Sequence, residues 1–413
     1  MSLSDRRIHE MEEVMSRERL AQVAQPGRYA PRIQTQALLA QPLPDTLIVG
    51  MRVGHGVRIQ CLLLAKALKG GARLIYREDL LTAAGRQTVQ DMRAWFLADP
   101  KNSALYYADE AVQKRWKTEY APEAIGRLRT ELLISPPRRV IFFEPSTMEE
   151  VIGHVGDLLP GVDLQYVDPD RRPITATGAD LLDFSSIPLP LTINYPVDAN
   201  PARLTCRHSA PSLQIRPFDA REFAFVTHGG GWAMGDFRSV LTQLPGPAAI
   251  LLPRDRAMAE KDDLLPRASL FFDIDLGTDA ACEFARLAQV TETGYRILPP
   301  MPHHGALDVI ARSRAIVSKP GGATVVDSYL AQTPVLFLDP ISQYEQGNAE
   351  FIQQSGIGMR LSDFLAKGAD PALLQTCAAN LARLIDGVPT LESLFSLKDS
   401  ARSVPRRAAA AGH

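Results

Sequence analysis

The chain has 413 residues, 46% of them hydrophobic and 22% charged, with a formal net charge of -2. This is the profile of a globular chain long enough for two domains, and the near-neutral balance excludes a general electrostatic pull toward nucleic acid or an anionic membrane. Cys61, Cys206, Cys282 and Cys377 are scattered without a CxxC pair, which argues against a disulfide framework or zinc site and fits a reducing cytoplasm.

In chain order, "MSLSDRRIHEMEEVMSRERL" is charged and lacks the apolar core of a signal peptide. No run of eighteen apolar residues occurs anywhere, so no membrane-spanning helix is expected. Residues 1–43 read as an N-terminal extension whose helical spacing is broken at "QPGRYAP". The first core strand is "TLIVGMRV" over 46–53. Gly54-His55-Gly56 follows, then the helix "RIQCLLLAKALKG" and the strand "ARLIYR". Strand, glycine turn, helix, strand is the opening of a Rossmann-like unit. "RRVIFFEP" reads as another strand, "STMEEVIGHVGDLL" as a helix and "DLQYVDP" as a strand. Residues 172–221 are rich in Pro, Thr and Ser and resist assignment. A domain boundary within 206–220 gives an N-terminal domain over 44–213 and a C-terminal domain over 214–390.

A second alternating series follows. "EFAFVTH" reads as a strand, "GGGWAMGD" as a glycine loop, "AAILLPR" as a strand, "DAACEFARLAQV" as a helix and "GYRILPP" as a short strand. "GALDVIARS" reads as a helix and "RAIVSKP" as a strand. Then comes the helix within "SKPGGATVVDSYLAQTPVLFLDP", which ends on another strand. Residues 391–413 read as a C-terminal tail, whose end "RSVPRRAAAAGH" is expected to be disordered. The fold class is therefore α/β, in two Rossmann-like halves, with no repeat at a fixed short period.

Each half carries a glycine loop between a strand and a helix. This geometry brings backbone N–H groups and a helix N-terminus to the carboxyl edge of a parallel sheet, a ready anion site. Gly321 and Gly322 let a ligand approach the backbone, Thr324 can add a hydroxyl donor, and Asp327 lies on the same helix face as Thr324. A phosphate at the turn would leave an attached ribose beside Asp327, whose carboxylate can accept from a diol. The alternative is a glycine turn made for packing, with Asp327 as a helix-terminal charge. After the strand "PVLFLDP", Glu345 and Gln346 emerge on the same sheet edge, and a carboxylate with an amide can hold vicinal hydroxyls of a hexose. Asn348 suits the N-cap of "AEFIQQ".

"SKPGGATVVDSYLAQTPVLFLDPISQYEQGNAEFIQQSGIGMRL" resembles the donor-binding signature of GT-B glycosyltransferases, in particular the family 28 group of diacylglycerol sugar transferases and the peptidoglycan N-acetylglucosaminyltransferase. "FVTHGGGWAMGDF" resembles that group's C-terminal glycine loop, and "GMRVGHGVRIQCLLLAKAL" its Gly-x-Gly-His-type N-terminal loop. The resemblance is specific over roughly 222–361, weak over 45–70, and absent over most of 71–220. It implies two Rossmann-like domains facing a cleft, with the nucleotide sugar, UDP-linked, on the C-terminal one and the acceptor on the N-terminal one. By position it implies Asp327, where the family usually has Glu, on the ribose. It puts Gly322, Ala323 and Thr324, with Gly321 beside them, on the diphosphate. Glu345 and Gln346 fall on the donor sugar, and Gly229, Gly230 and Gly231 face the diphosphate and cleft. Trp232 departs from the residues usual at its place. Base contacts are expected from the backbone around 297–305.

For chemistry, His55 between Gly54 and Gly56 is the candidate general base: a helix N-terminus disfavours imidazolium and keeps the ring neutral. The alternative is a capping or packing histidine. The resemblance implies an inverting transfer without a metal or other cofactor, the leaving charge being met by backbone N–H groups; Lys319 could assist but suits a strand end. His303-His304 would need a third ligand to hold a metal and otherwise fits a cleft loop or the surface. His228 could reach phosphates or pack. Asp273-x-Asp275 is a weak metal motif that also reads as a strand end. Competing readings are a nucleotide-sugar epimerase of the same fold and a non-catalytic sugar-nucleotide-binding subunit. A small-molecule acceptor is favoured over lipid. Trp95 and Phe96, with Arg86 and Arg93, could form a peripheral membrane face, but an ordinary amphipathic helix fits them better.

Overall fold

A computed structural model of the chain describes residues 45–395, apart from 53–54, 70, 100, 109, 169, 171–186, 188, 195, 199–201, 228–237 and 275–283. The expected helix in the N-terminal extension lies outside the described residues.

The first sheet holds β1 (Thr46–Gly50), β2 (Ala72–Tyr76), β3 (Arg139–Phe142), β4 (Asp163–Val167) and β5 (Leu191–Asn194). Its order is β2-β1-β3-β4-β5, parallel throughout. Helix α1 (His55–Ala67) joins β1 to β2, and α2 (Pro145–Val155) joins β3 to β4. All five residues of β1 are buried, as both faces of a parallel sheet are covered. Alternate residues sort to the two faces. Leu47, Val49, Val140 and Phe142 meet Met148 and Val151 of α2. Ile48, Ile141 and Val167 meet Cys61 and Leu64 of α1.

A two-stranded ribbon of β6 (Val197–Asp198) and β7 (Arg203–Leu204) precedes the second sheet. That sheet comprises β8 (Phe223–Thr227), β9 (Ala248–Leu251), β10 (Ala268–Ile274), β11 (Arg286–Thr291), β12 (Gly294–Ile297), β13 (Ser313–Ser318), β14 (Val335–Phe337) and β15 (Gly358–Arg360). The order is β12-β11-β10-β9-β8-β13-β14-β15. It is parallel from β10 to β15 and antiparallel at β10–β11–β12. Helices α3 (Gly305–Ala311), α4 (Gly322–Ala331) and α5 (Gln343–Gln354) pack beside its strands.

The stretch "DAACEFARLAQV" is not the expected helix: its described end forms β11, antiparallel to β10 with Phe272 opposite Ala288. Leu287, Ala288 and Val290 are buried, and the hairpin into β12, turning at Gly294 with φ 155, pairs a segment whose local preference alone favoured helix.

Both sheets reverse strand order at their first strand, between β1 and β3 and between β8 and β13. Ligands of open α/β sheets bind at such switch points, and the described glycines Gly56, after β1, and Gly321 and Gly322, after β13, lie there. The halves share a core: Leu62 and Leu63 of α1 pack in one cluster with Val325, Val326 and Tyr329 of α4. Leu391 and Phe395, which open the stretch read as a tail, are instead buried in the first sheet's core with Ile48 and Ile141, and the Phe395 carbonyl accepts from Arg139 Nη1 at 3.2 Å. The fold is thus two Rossmann-like α/β sheets, as expected.

Candidate functional site

The site begins where β13 ends. Gly321 is the N-cap of α4, with φ -74, and among the described residues no side chain caps the helix; its first turn holds no acidic residue. By contrast α2 is capped by Glu144, which accepts from the N–H groups of Ser146 and Thr147, and α5 by Ser342. The leading N–H groups of α4 therefore lack the partners that side chains give its neighbours. A Cβ on Gly321 would lie 3.7 Å from Lys319 Nζ and 3.9 Å from Glu345 Oε1, ordinary contact distances. Neither backbone angle nor internal packing requires glycine here; its absent side chain keeps the helix mouth open.

Thr324 turns inward. It is buried, and its hydroxyl donates to the Lys319 carbonyl at 3.2 Å and lies 3.4 Å from Ser318 Oγ, so it closes the turn and is not an outward donor in this conformation. Glu345 and Gln346 part ways. Glu345 is 5% exposed; Lys319 Nζ donates to its Oε1, and the Ile341 N–H to its Oε2 at 2.8 Å. Gln346 is exposed and donates to Glu350 at 3.3 Å. Lys319, read as a plain strand end, is thus an ion-pair partner at the site. Asn348 is not an N-cap. The helix begins five residues earlier, at Gln343, capped by Ser342, because the Ser342 hydroxyl accepts the Glu345 N–H at 3.3 Å. Asn348 sits fully buried inside the helix and donates to Asp170 Oδ1, beyond β4, at 2.7 Å.

Asp327 meets a partner 23 residues away in the chain: His304 Nε2 lies 2.9 Å from its Oδ1. His303 and His304 are 1% and 5% exposed, so neither is a surface histidine. Burial opposes charging His304, but Asp327, with Asp273 and Asp308 nearby, outweighs it and holds the imidazole above its ordinary range. His303 Nε2 is buried without a hydrogen-bond partner among the described residues, 3.7 Å from Asp308. Among the described residues no group of three or more His, Cys, Asp or Glu could hold a metal ion.

The first half contributes the start of α1. A Cβ on Gly56 would lie 2.9 Å from the Ala323 Cβ, closer than packed carbons approach, so the N-termini of α1 and α4 abut and only glycine fits. His55 is the first residue of α1, which therefore starts three residues before the helix expected from Arg58; its side chain, and Gly54, His228, Gly229, Gly230, Gly231, Trp232 and Asp275, lie outside the described residues. Behind this contact runs a buried polar chain with no counterpart among the sequence motifs. Gln60 Nε2 donates to the Gly56 carbonyl at 3.2 Å, Gln60 Oε1 lies 3.2 Å from His208 Nε2, and the His208 N–H donates to the Tyr329 hydroxyl at 3.0 Å. Burial lowers His208 to a pKa of about 3, so its ring is neutral. Spacings of 121 and 148 residues leave no local signal for such pairs.

Trp95 and Phe96 are 6% and 3% exposed, packed against Trp116 and Tyr106 at 5.5 and 5.4 Å, so they form no membrane-facing stripe. Among the described residues no helix is long and apolar enough to cross a membrane.

No family model matches the chain. It is 33% identical over 76 residues to the processive diacylglycerol beta-glucosyltransferase of Staphylococcus carnosus (strain TM300), a match covering 18% of this chain and 18% of that relative. Among solved structures, Acinetobacter baumannii MurG aligns at TM-score 0.46 and 13% identity, over 86% of this chain and 97% of its own. The spinosyn rhamnosyltransferase SpnG aligns at TM-score 0.48 and 14% identity, over 86% and 99%. The glycosyltransferase SnogD of Streptomyces nogalater aligns at TM-score 0.45 and 13% identity, over 87% and 99%. What the chain resembles, over a short shared segment and across loosely superposed structures, is glycosyltransferases of the GT-B kind.

Proposed function

We propose that this protein is an inverting, metal-independent glycosyltransferase that moves a sugar from a nucleotide-diphosphate donor, UDP-linked, to the hydroxyl or amine of a small-molecule acceptor in the cytoplasm. One observation carries the reading: the uncapped, acid-free N-terminus of α4 abuts the N-terminus of α1 at Ala323 and Gly56, where both sheets reverse strand order. Open N–H groups and two helix N-termini are suited to the charge of a leaving diphosphate.

In this reading the C-terminal half, from about residue 214, binds the donor. The N–H groups of Gly322 and Ala323, with the loop Gly229–Gly231, hold the diphosphate, and Asp327 accepts from the ribose. His55, on the facing half, takes the acceptor proton as the oxygen or nitrogen attacks the anomeric carbon; the bond to the diphosphate breaks and its charge moves onto the α4 N-terminus. Attack from the face opposite the leaving group inverts the anomeric centre.

The test is calorimetric titration of UDP, GDP, ADP and TDP with EDTA present, followed by chromatography of UDP-sugars incubated with enzyme. Binding of a nucleoside diphosphate and chelator-resistant release of sugar support the reading. No binding of any of the four refutes it. Turnover that EDTA abolishes and Mg²⁺ restores refutes the metal-free mechanism, an altered sugar without acceptor points to epimerisation, and tight binding with neither hydrolysis nor transfer points to a binding subunit.

A further inference from the structure

The segment "MPHHGAL" carries a feature that the donor signature does not explain. His304, the N-cap of α3, makes no side-chain cap of its own helix. Its ring instead reaches across to α4, where Nε2 lies 2.9 Å from Asp327 Oδ1. The imidazole side chain is 6% exposed and the Asp327 side chain 18%. The pair is therefore asymmetric: the ring is inside the protein, and the carboxylate stands at its edge. Asp327 Oδ1 is engaged, and the other oxygen has no partner among the described residues.

Two physical consequences follow. An aspartate on a helix surface turns freely about its side-chain bonds, and that freedom is lost when it binds. A buried N–H donor fixed at one oxygen removes most of it beforehand. The ring also satisfies Oδ1 with a donor of its own, so a ligand hydroxyl meets the other oxygen. Asp is one methylene shorter than Glu, so a carboxylate held by a second side chain has a defined reach where a free one would not.

Resting on the donor reading above, we propose that His304 is a positioning residue for the donor ribose: it anchors Asp327 through Oδ1 and presents the second carboxylate oxygen to the ribose 2′- and 3′-hydroxyls. The charges of Asp273 and Asp308 also act on the imidazole, and the Phe284 ring centroid lies 6.5 Å from its own. Discrimination between ribose and 2′-deoxyribose is then set jointly by a residue that touches the sugar and one that does not.

The readout is the ratio of affinities for UDP and 2′-deoxy-UDP, measured by calorimetry on the full chain. A hydrogen bond to a charged acceptor makes that ratio roughly ten- to a hundredfold in the wild type. His304→Phe keeps the ring volume and removes the N–H; the ratio is expected to fall toward parity while 2′-deoxy-UDP binds as before. His304→Gln can still donate to Oδ1 and should retain much of the ratio, whereas the shorter His304→Asn should not. A merely structural role would weaken both ligands together. His304→Phe folded with the wild-type ratio overturns the proposal. So does His304→Gln losing the ratio as completely as His304→Asn, and this comparison decides the matter if His304→Phe does not fold. Should the wild type bind neither nucleotide, nor GDP, ADP or TDP, the donor reading itself falls and this proposal with it; binding of TDP alone, or of UDP without ribose discrimination, in the wild type overturns this proposal alone.

Discussion

Replacing Lys319 with Met leaves the Glu345 carboxylate in place and removes its ion-pair partner. The two side chains are 12% and 7% exposed, so the remaining charge stays in a largely dry site. Breaking a buried pair from one side costs about 3–5 kcal/mol. Here the Ile341 N–H still donates to Glu345 Oε2 at 2.8 Å, and a hydrogen bond to a charged group is worth about 1.5–3 kcal/mol. The loss should therefore fall at the low end, about 3 kcal/mol. Replacing both residues with Met leaves no buried charge, so the double variant should recover most of that loss. Urea unfolding followed by circular dichroism gives the three free energies. A Lys319→Met variant within about 0.5 kcal/mol of wild type, the range of ordinary surface changes, would refute the reasoning. So would a double variant that falls by the sum of the two singles, because the pair would then not be coupled.

Gly56→Ala should cost about 1–3 kcal/mol through overpacking, since its Cβ would stand 2.9 Å from the Ala323 Cβ; adding Ala323→Gly should restore thermal stability, and an unrescued double variant would show that the helix ends do not meet there. His208 titrates near 3 when folded against an ordinary 6.5, so the unfolded chain binds the extra proton between those values. Its stabilising contribution is full above about pH 6.5 and is lost as pH falls, at about 1.4 kcal/mol per pH unit. His208→Asn should flatten the fall in unfolding free energy between pH 6.5 and 5 by that amount, and an unchanged slope would count against a buried neutral ring. His55→Ala should leave nucleotide affinity near wild type and slow sugar release about 10²–10⁴-fold; release at the wild-type rate in a folded variant removes His55 from the mechanism.

Strands such as "TLIVG" and "RAIVS" were readable because a strand covered on both faces is a continuous apolar run bounded by turn residues. The helix after "SKPGG" was readable for the same kind of reason, since its glycines mark where it starts. "DAACEFARLAQV" was not readable. Its composition favours helix, and only pairing with β10 and the turn at Gly294 makes Arg286–Thr291 a strand. The misplaced cap has a similar cause: both Ser342 and Asn348 are good caps in isolation, and in the fold Ser342 caps the helix while Asn348 donates to Asp170.

What the sequence determined by itself is most of the alternation of strands and helices, β11 excepted, and the glycine turn that opens α4, because these depend on periodicity and backbone freedom within a dozen residues. The two α/β halves follow from that, whereas the strand order, with its reversals between β1 and β3 and between β8 and β13, is set by how the strands pair. Only the tertiary structure decided who pairs with whom. Asp327 with His304, Glu345 with Lys319, Gln60 with His208, and Gly56 against Ala323 are contacts between residues well separated in the chain. Burial is what fixes such pairs: a polar group taken out of water must find a partner wherever the packed chain supplies one, and that partner is chosen by how the sheets and helices pack, which no local pattern encodes.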